Sequence, residues 1–228
     1  MGARSSDDNT WVVHGVDLTT LEGFLRRRLT SPLPGAAAQR RFAPLPSHAG
    51  WAPELLPSGA RHAAALLLLY ARHEVPVFAL TRRHDGLAQH AGQVSLPGGA
   101  IDVGESIEAA ALRETEEEIG VPTNRVRVIG SLSTLWMSVS NFVVHPVIGI
   151  TDDVPEFRLH PDEVAELLEV PITHLDGDDR VRRERRQQAG REIEYSYFDL
   201  AGHVVWGATA MMLGEFAALC DEERQARA

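Results

Sequence analysis

The sequence predicts an α/β fold in which a mixed β-sheet is sandwiched between helices. Three observations carry that expectation. "AAALLLLY" (Ala63 to Tyr70) is a short, continuous apolar run, the pattern of a strand buried on both faces. Further apolar or alternating segments follow it, each bounded by turn residues. Helical patterns are interspersed among them without the regular strand-helix alternation of a fully parallel sheet.

The elements follow in chain order. Residues 1 to 10 are polar and read as a loose end. "DLTTLEGFLRRRLTS", from Asp17, reads as a helix with Thr19 or Thr20 as cap, because Leu21, Phe24, Leu25 and Leu29 recur at helical spacing. Pro32 to Pro57 is rich in Pro, Ala and Gly and reads as an irregular linker. The main domain begins with the Ala63 to Tyr70 strand, a turn over Ala71 to Glu74, and a second strand, "VPVFALT" (Val75 to Thr81). A helix is expected from near Ser106 to Gly120, with Pro122 just beyond it. "VRVIGSLS" (Val126 to Ser133) and "FVVHPVIGIT" (Phe142 to Thr151) read as strands, and "EVAELLEVP" (Glu163 to Pro171) as a short helix or turn ending before its proline. "REIEYSYFDL" (Arg191 to Leu200) alternates like a strand, and an amphipathic helix starts at Gly207. The division expected is an N-terminal extension over residues 1–59, with its short helix and linker, and a catalytic or binding domain over 60–228.

Composition narrows the function classes. A chain of 228 residues holds one domain with an ample core, and 44% hydrophobic with 24% charged residues is ordinary globular composition. A net charge of −10 argues against nucleic acid as a partner, since phosphate neutralisation needs clustered Lys and Arg. It leaves small phosphorylated ligands open, because a divalent cation can bridge acidic protein to anionic ligand. Cys220 is the only cysteine, so neither an internal disulfide nor a multi-cysteine zinc site is available, and a cytoplasmic location fits. No apolar run suits a membrane span. Met1 to Ser6 fits the loose N-myristoylation pattern, a match short enough to arise by chance.

The helix that ends at Gly120 carries the chemistry. Glu114, Glu117 and Glu118 share one helical face, Leu112, Thr115 and Ile119 can pack on the sheet, and Glu116 points to water. Like charges at this spacing repel, so a partner is required. Arg113 supplies part of it and Glu105 can return to meet that arginine. A hard divalent cation supplies the rest, since Mg²⁺ prefers carboxylate oxygens, water and substrate phosphates. Taken alone, a glutamate cluster is a solvated acidic face. Its surroundings change that weighing. Glycines at 98 and 99 permit close backbone approach to a ligand, and Arg82 and Arg83 end a strand where they could fork onto phosphates. For Arg82 a solvated strand end is the plainer reading, for His90 and Gln93 a structural hydrogen-bonding role, and for Trp206 a place in the core. "RVRRERRQQAGRE" (Arg180 to Glu192) reads as a solvated basic hairpin in preference to a docking surface.

Gly99, then after five residues Glu105, then after seven more "RETEEEIGV" (Arg113 to Val121) together resemble the Nudix box, with Thr115 at a position usually aliphatic. Just upstream, "LTRRHDGLAQHAGQVSLPGG" (Leu80 to Gly99) is similar to the motif of the coenzyme A pyrophosphatase branch of the Nudix hydrolases. Leu80, Thr81, Arg83, Gly92, Pro97, Gly98 and Gly99 match. His84 replaces a small residue, Ala88 an arginine and Leu96 a phenylalanine. Similarity to the branch spans about residues 60 to 220.

The resemblance implies a Nudix-type α/β/α sandwich and a hydrolase using Mg²⁺ or Mn²⁺ held by Glu114, Glu117 and Glu118. A carbonyl near Gly99 or Ala100 is a further candidate ligand. Glu105 and Arg113 would order the loop against the helix. Glu117 or Glu163 would serve the attacking water, Glu163 either as base or as an added ligand. Arg83, Gly92, Gln93, Gly98 and Gly99 would bind substrate. The expected reaction splits coenzyme A or acyl-coenzyme A into 3′,5′-ADP and (acyl-)4′-phosphopantetheine. Hydrolysis of ADP-ribose, NADH or another nucleoside diphosphate derivative is the alternative that Ala88 and His84 favour, and a catalytically quiet ligand-binding module is the alternative of another class. The partner expected is a nucleotide-containing small molecule, with no nucleic acid and no membrane. A homodimer is left open, with the N-terminal segment or the sheet edges as its interface.

Overall fold

The computed structural model describes residues 17–47, 50–86, 90–177, 181–188 and 191–227. The loose end, the myristoylation-like pattern, Ala88 and Arg180 lie outside them. A long first strand organises the molecule. β1 (Arg61–Arg72) pairs antiparallel with β2 (Val75–Arg83) through a two-residue turn in which His73 and Glu74 both take positive φ, the twist that suits a tight hairpin. After the short strands β3 (Val94–Ser95) and β4 (Gly98–Ala100) the chain enters helix α3 (Ile107–Ile119). β5 (Arg127–Ser131), β6 (Leu135–Met137) and β7 (Phe142–Ile150) follow. β7 lies parallel to β1 and the other pairings of this sheet are antiparallel, giving the mixed sheet expected.

Period-two alternation along β1 builds both layers of core. Ala65, Leu67 and Leu69 face one side, with Leu21, Phe24 and Leu25 of helix α1 (Leu18–Arg28) and Met211 and Leu213 of helix α4 (Gly207–Arg227). Ala64, Leu66, Leu68 and Tyr70 face the other side, with Ala110, Ala111 and Ile119 of α3. Burying Ile119 completely stabilises this layer by about 2–3 kcal/mol. No described helix is long and apolar enough to cross a membrane.

Four expectations need correction. Asp17, not Thr19 or Thr20, caps α1, its carboxylate accepting from Thr20 N–H at 2.7 Å; a residue with β-region φ/ψ just ahead of the helix can present its side chain to the free N–H groups. The stretch expected to be irregular contains a short helix, α2 (Gly35–Gln39), seated on α4. It is fixed by Glu215, which is fully buried: Oε1 accepts from Gly35 N–H and Ser133 N–H, each at 3.1 Å, and Oε2 from Gln39 Nε2 at 2.8 Å. Val164 to Pro171 is not a helix but a strand, β8, paired antiparallel with β2 from Arg83↔Val164 to Val77↔Pro171. Val164, Leu167 and Leu168 suit either period. The unpaired edge of β2 decides between them, because pairing satisfies both backbones. Trp206 is half-buried against Tyr195, ring centroids 5.3 Å apart, and does not enter the closed core.

A second, three-stranded sheet holds β9 (Val181–Gln188), β10 (Arg191–Leu200) and β11 (His203–Val205). The arginines of β9 are exposed and paired across or along the hairpin, Arg185 with Glu192 and Glu194, and Arg182 with Asp199.

Candidate active site

Helix α3 is held at both ends by local chemistry. Ser106 caps it, its hydroxyl accepting from Ala109 N–H at 3.1 Å. Gly120 closes it in the left-handed region at φ 74°, where a Cβ would lie 2.7 Å from the Cβ of Arg158. Thr115, at the unusual position of the box, is fully buried and donates to Ala111 O at 2.7 Å, so its hydroxyl is satisfied within the helix.

The glutamates share a face and differ in depth. Glu118 is buried, Glu114 mostly buried and Glu117 exposed. Glu116 is exposed as expected and accepts from Thr123 N–H at 3.4 Å. Arg113 ties the frame together. Its Nε and Nη2 donate to Glu105 at 2.9 and 3.0 Å, and Nη2 also donates to Ala100 O at 3.1 Å. Its Nη1 reaches Glu114 at 2.8 Å and Glu117 at 3.2 Å. Glu105 in turn accepts from Asp102 N–H at 3.1 Å, so the loop is laced to the helix through one guanidinium. The bonds to Arg113 hold the Glu105 carboxyl below its usual range.

Glycines bring the preceding strand against this face. A Cβ on Gly99 would lie 2.4 Å from the carboxylate carbon of Glu114, and one on Gly98 would lie 2.3 Å from Ala64 O. On the other side, Arg83 ends β2 at a bulge between Arg82 and Arg83, and its Nη1 lies 3.8 Å from Glu118 Oε1. The strand beyond the bulge is held by Arg83 N–H to Gln93 O at 2.9 Å and His84 N–H to Glu163 O at 2.8 Å. Gly92 takes φ 68° in the turn leading back, where a Cβ would come within 3.0 Å of Asp85, and the Gln93 side chain bonds His90 at 2.8 Å. Arg82 is a partnered residue, bonded to Asp85 at 2.8 Å and Glu166 at 3.3 Å.

Burial pushes the Glu118 carboxyl up to about 8; Arg83 opposes the rise, and the charges of Glu114 and Glu163 add to it. Burial also raises Glu114, against the pull of Arg113 and with Glu117 and Glu163 adding. Glu163 therefore stands within electrostatic reach of both. Its position is a loop-to-strand junction just ahead of β8 and not the helix start expected.

Two residues beside the site carried no signal in the sequence. His62 on β1 and His145 on β7 lie 2.9 Å apart, ring nitrogen to ring nitrogen, in a cleft of about 570 Å³ that Ala100, Asp102 and Glu105 also line. Parallel strand pairing joins them across 83 positions of sequence, a separation that no local pattern spans. Burial, and then His62, lowers the pKa of His145.

Among the described residues no three His, Cys, Asp or Glu side chains stand close enough to hold an ion as they are placed. The cause is visible, because Arg113 lies between Glu114 and Glu117 and Arg83 faces Glu118. The donor set nevertheless fits a hard divalent cation. It offers three carboxylates at helical spacing, and Glu118 Oε2 is buried without a hydrogen-bond partner among the described residues.

A mixed sheet between helices, with a glycine strand set against a glutamate helix, defines an α/β protein whose site suits a divalent cation and a phosphorylated ligand. The NUDIX domain family profile matches residues 60–199, and the chain belongs to that family. It is 41% identical over 135 residues, 58% of this chain and 68% of the other, to "Uncharacterized Nudix hydrolase NudL" of Pectobacterium atrosepticum. It is 37% identical over 135 residues, 58% of this chain and 70% of the other, to the protein of the same name from Photorhabdus laumondii. Among solved structures it is similar to a Nudix hydrolase from M. smegmatis, RenU, at 19% identity over 74% of this chain and 86% of that one, with a TM-score of 0.48. The chain thus belongs with the Nudix hydrolases, which act on pyrophosphate bonds of nucleoside diphosphate derivatives. Such hydrolases generally use divalent ions such as Mg²⁺ or Mn²⁺.

Proposed function

We propose that this chain hydrolyses the diphosphate of coenzyme A or acyl-coenzyme A, giving 3′,5′-ADP and (acyl-)4′-phosphopantetheine. The observation that carries this reading is the convergence of the two motifs: Gly99 packs against Glu114 and Arg83 faces Glu118. Glu114, Glu117 and Glu118 would hold Mg²⁺ or Mn²⁺, which when bound neutralises nonbridging phosphate oxygens and acidifies a water. Arg113 and Glu105 fix the helix face to the loop. Glu163, whose charge acts on both Glu114 and Glu118, would take the proton of the attacking water. Gly98 and Gly99 leave the backbone bare for close approach, while Gly92 and Gln93 shape the returning loop. The ligand is a nucleotide-containing small molecule acted on in the cytoplasm.

A second reading, ADP-ribose or NADH as substrate, is favoured by one contact. His84 Nδ1 accepts from Gly86 N–H at 3.1 Å, so this substituted position braces its own loop. A substrate panel with Mg²⁺ and with Mn²⁺, products resolved by chromatography and Glu118→Gln as control, separates the two. Turnover of coenzyme A to 3′,5′-ADP supports the first reading; intact coenzyme A beside cleaved ADP-ribose or NADH overturns it.

A further inference from the structure

Two arginines face the box carboxylates, and they are held differently. Arg113 spends its guanidinium on Glu105, Ala100 O, Glu114 and Glu117, with each contact between 2.8 and 3.2 Å. It cannot leave without releasing the loop. Arg83 is at 3.8 Å from Glu118, beyond hydrogen-bond distance, and its buried Nε has no hydrogen-bond partner among the described residues. Glu118 Oε2 is buried and unpartnered in the same way. Guanidinium and carboxyl thus stand face to face with each still short of a partner, at the point where the β2 register shifts. Arg82, its neighbour, is tied to Asp85 and Glu166 and cannot substitute for it.

Such a pair is complementary once Glu118 is ionised, and poorly matched in contact. A divalent cation on Glu118 would repel the guanidinium and remove its reason to stay, while a phosphate beside the cation offers the fork of Nε and Nη groups two oxygens at better geometry. We propose that Arg83 is a displaceable counter-ion, resting on Glu118 in the ion-free chain and passing to a ligand phosphate when a divalent cation takes that carboxylate, so that cation and diphosphate bind cooperatively. This rests on the reading that Glu118 is a cation ligand. Linkage makes the effect reciprocal: whatever coupling the arginine transmits from cation to diphosphate it also transmits back.

The test is a binding cycle on the full chain. Free Mn²⁺ measured by electron paramagnetic resonance above pH 8, where the Glu118 carboxyl has released its proton, gives the ion affinity of wild type, Arg83→Met and Arg83→Lys, with near-ultraviolet circular dichroism confirming that each is folded. Arg83→Met is expected to bind Mn²⁺ about tenfold more tightly than wild type, because the competing cation is gone, and Arg83→Lys to stay near wild type. Calorimetry with α,β-methylene-ADP then gives anion affinity with and without Mg²⁺. Arg83→Met is expected to lose about tenfold with Mg²⁺ present and less than threefold without it. Equal or weaker Mn²⁺ binding by Arg83→Met, or the same loss of anion affinity in both conditions, overturns the displacement. Glu118→Gln separates that failure from failure of the underlying reading: if it binds Mn²⁺ as wild type does, Glu118 is no ligand and both ideas fall.

Discussion

Helices on opposite faces of the sheet each bury a glutamate, and the two are treated in opposite ways. Glu215 on α4 is fully buried and accepts from two backbone N–H groups and one side-chain amide. Glu118 on α3 is almost as deep, faces a guanidinium 3.8 Å away and keeps one oxygen without a hydrogen-bond partner. Burying a carboxylate costs several kcal/mol unless donors or opposite charge offset it. At Glu215 the fold supplies the offset and gains a clip between α2, α4 and the loop at Ser133. At Glu118 the offset is incomplete, which makes sense if the remaining partner arrives with the ligand. A satisfied buried charge marks architecture, and an under-satisfied one marks a place where something else is meant to bind.

The largest effect should come from exchanging the two carboxylates for amides. Glu118→Gln is expected to lower turnover of a nucleoside diphosphate substrate by about 10³-fold, since it removes a carboxylate that would hold the cation offsetting phosphate charge. Glu215→Gln should retain wild-type turnover per folded molecule. Rates normalised to the folded fraction check both, and comparable losses at the two positions would erase the distinction.

Stability should move in opposite directions. Glu215→Gln turns an amide NH₂ toward groups that are themselves donors, so it is expected to cost about 2–4 kcal/mol in urea unfolding. Glu118→Gln is expected to stabilise the ion-free chain at alkaline pH. The sign follows from burial, which holds the folded-state pKa at about 8, above the ordinary 4.5. The folded chain therefore keeps a proton that the unfolded chain releases, and stability falls as pH rises from about 4.5 to about 8. Urea curves at pH 5 and pH 8 in EDTA should show a drop on the order of 3 kcal/mol for wild type, and a much smaller one for Glu118→Gln. A wild-type chain as stable at pH 8 as at pH 5 would show that Glu118 is better solvated than its position indicates.

The sequence made one of these glutamates readable and concealed the other. Ser106, the apolar spacing and Gly120 all lie within one helix and its ends, so α3, its charged face and the Arg113–Glu105 tie follow from local rules. The partners of Glu215 are up to 180 positions away, and a lone glutamate in an amphipathic helix gives no hint of them. The same limit explains β8, whose apolar spacing suits two periods and whose strand state is set by the free edge of β2. Depth was equally hidden: helical spacing places Glu114, Glu117 and Glu118 on one face, but only packing leaves Glu117 in water and Glu118 in the core.

A smaller effect should distinguish the two glycines that meet the site. A methyl at Gly98 would strike backbone, Ala64 O at 2.3 Å, so Gly98→Ala is expected to cost about 1–3 kcal/mol of stability. A methyl at Gly99 would strike the Glu114 carboxylate, a side chain that can turn, so Gly99→Ala should keep most of its stability and bind Mn²⁺ less tightly. Thermal unfolding and Mn²⁺ affinity, measured together, separate these outcomes. Loss of stability at Gly99 with unchanged ion affinity would mean that its packing serves the sheet alone.

The smallest effect is expected in the basic hairpin, where charge is abundant and little depends on it. Arg185 pairs with Glu192 and Glu194 on the neighbouring strand with most of its side chain in water, and exposed pairs contribute about 0–1 kcal/mol because solvent and salt screen them. Arg185→Ala should shift urea unfolding by less than about 1 kcal/mol, a shift that vanishes in high salt. It should also leave the KM of the preferred substrate unchanged. That second measurement decides between a solvated hairpin and a docking surface: an arginine that met a phosphorylated substrate tail would raise KM when removed, and would do so most at low ionic strength. The strand's arginines already have acidic partners within the same sheet, Arg186 on Glu184 and Arg182 on Asp199 among them, so the basic run is largely compensated and has little positive field to offer a substrate. Arg83 differs from the four exposed and paired arginines of the hairpin in being half-buried with its Nε lacking a hydrogen-bond partner among the described residues, so if it meets the phosphate, its removal should raise KM where that of Arg185 does not.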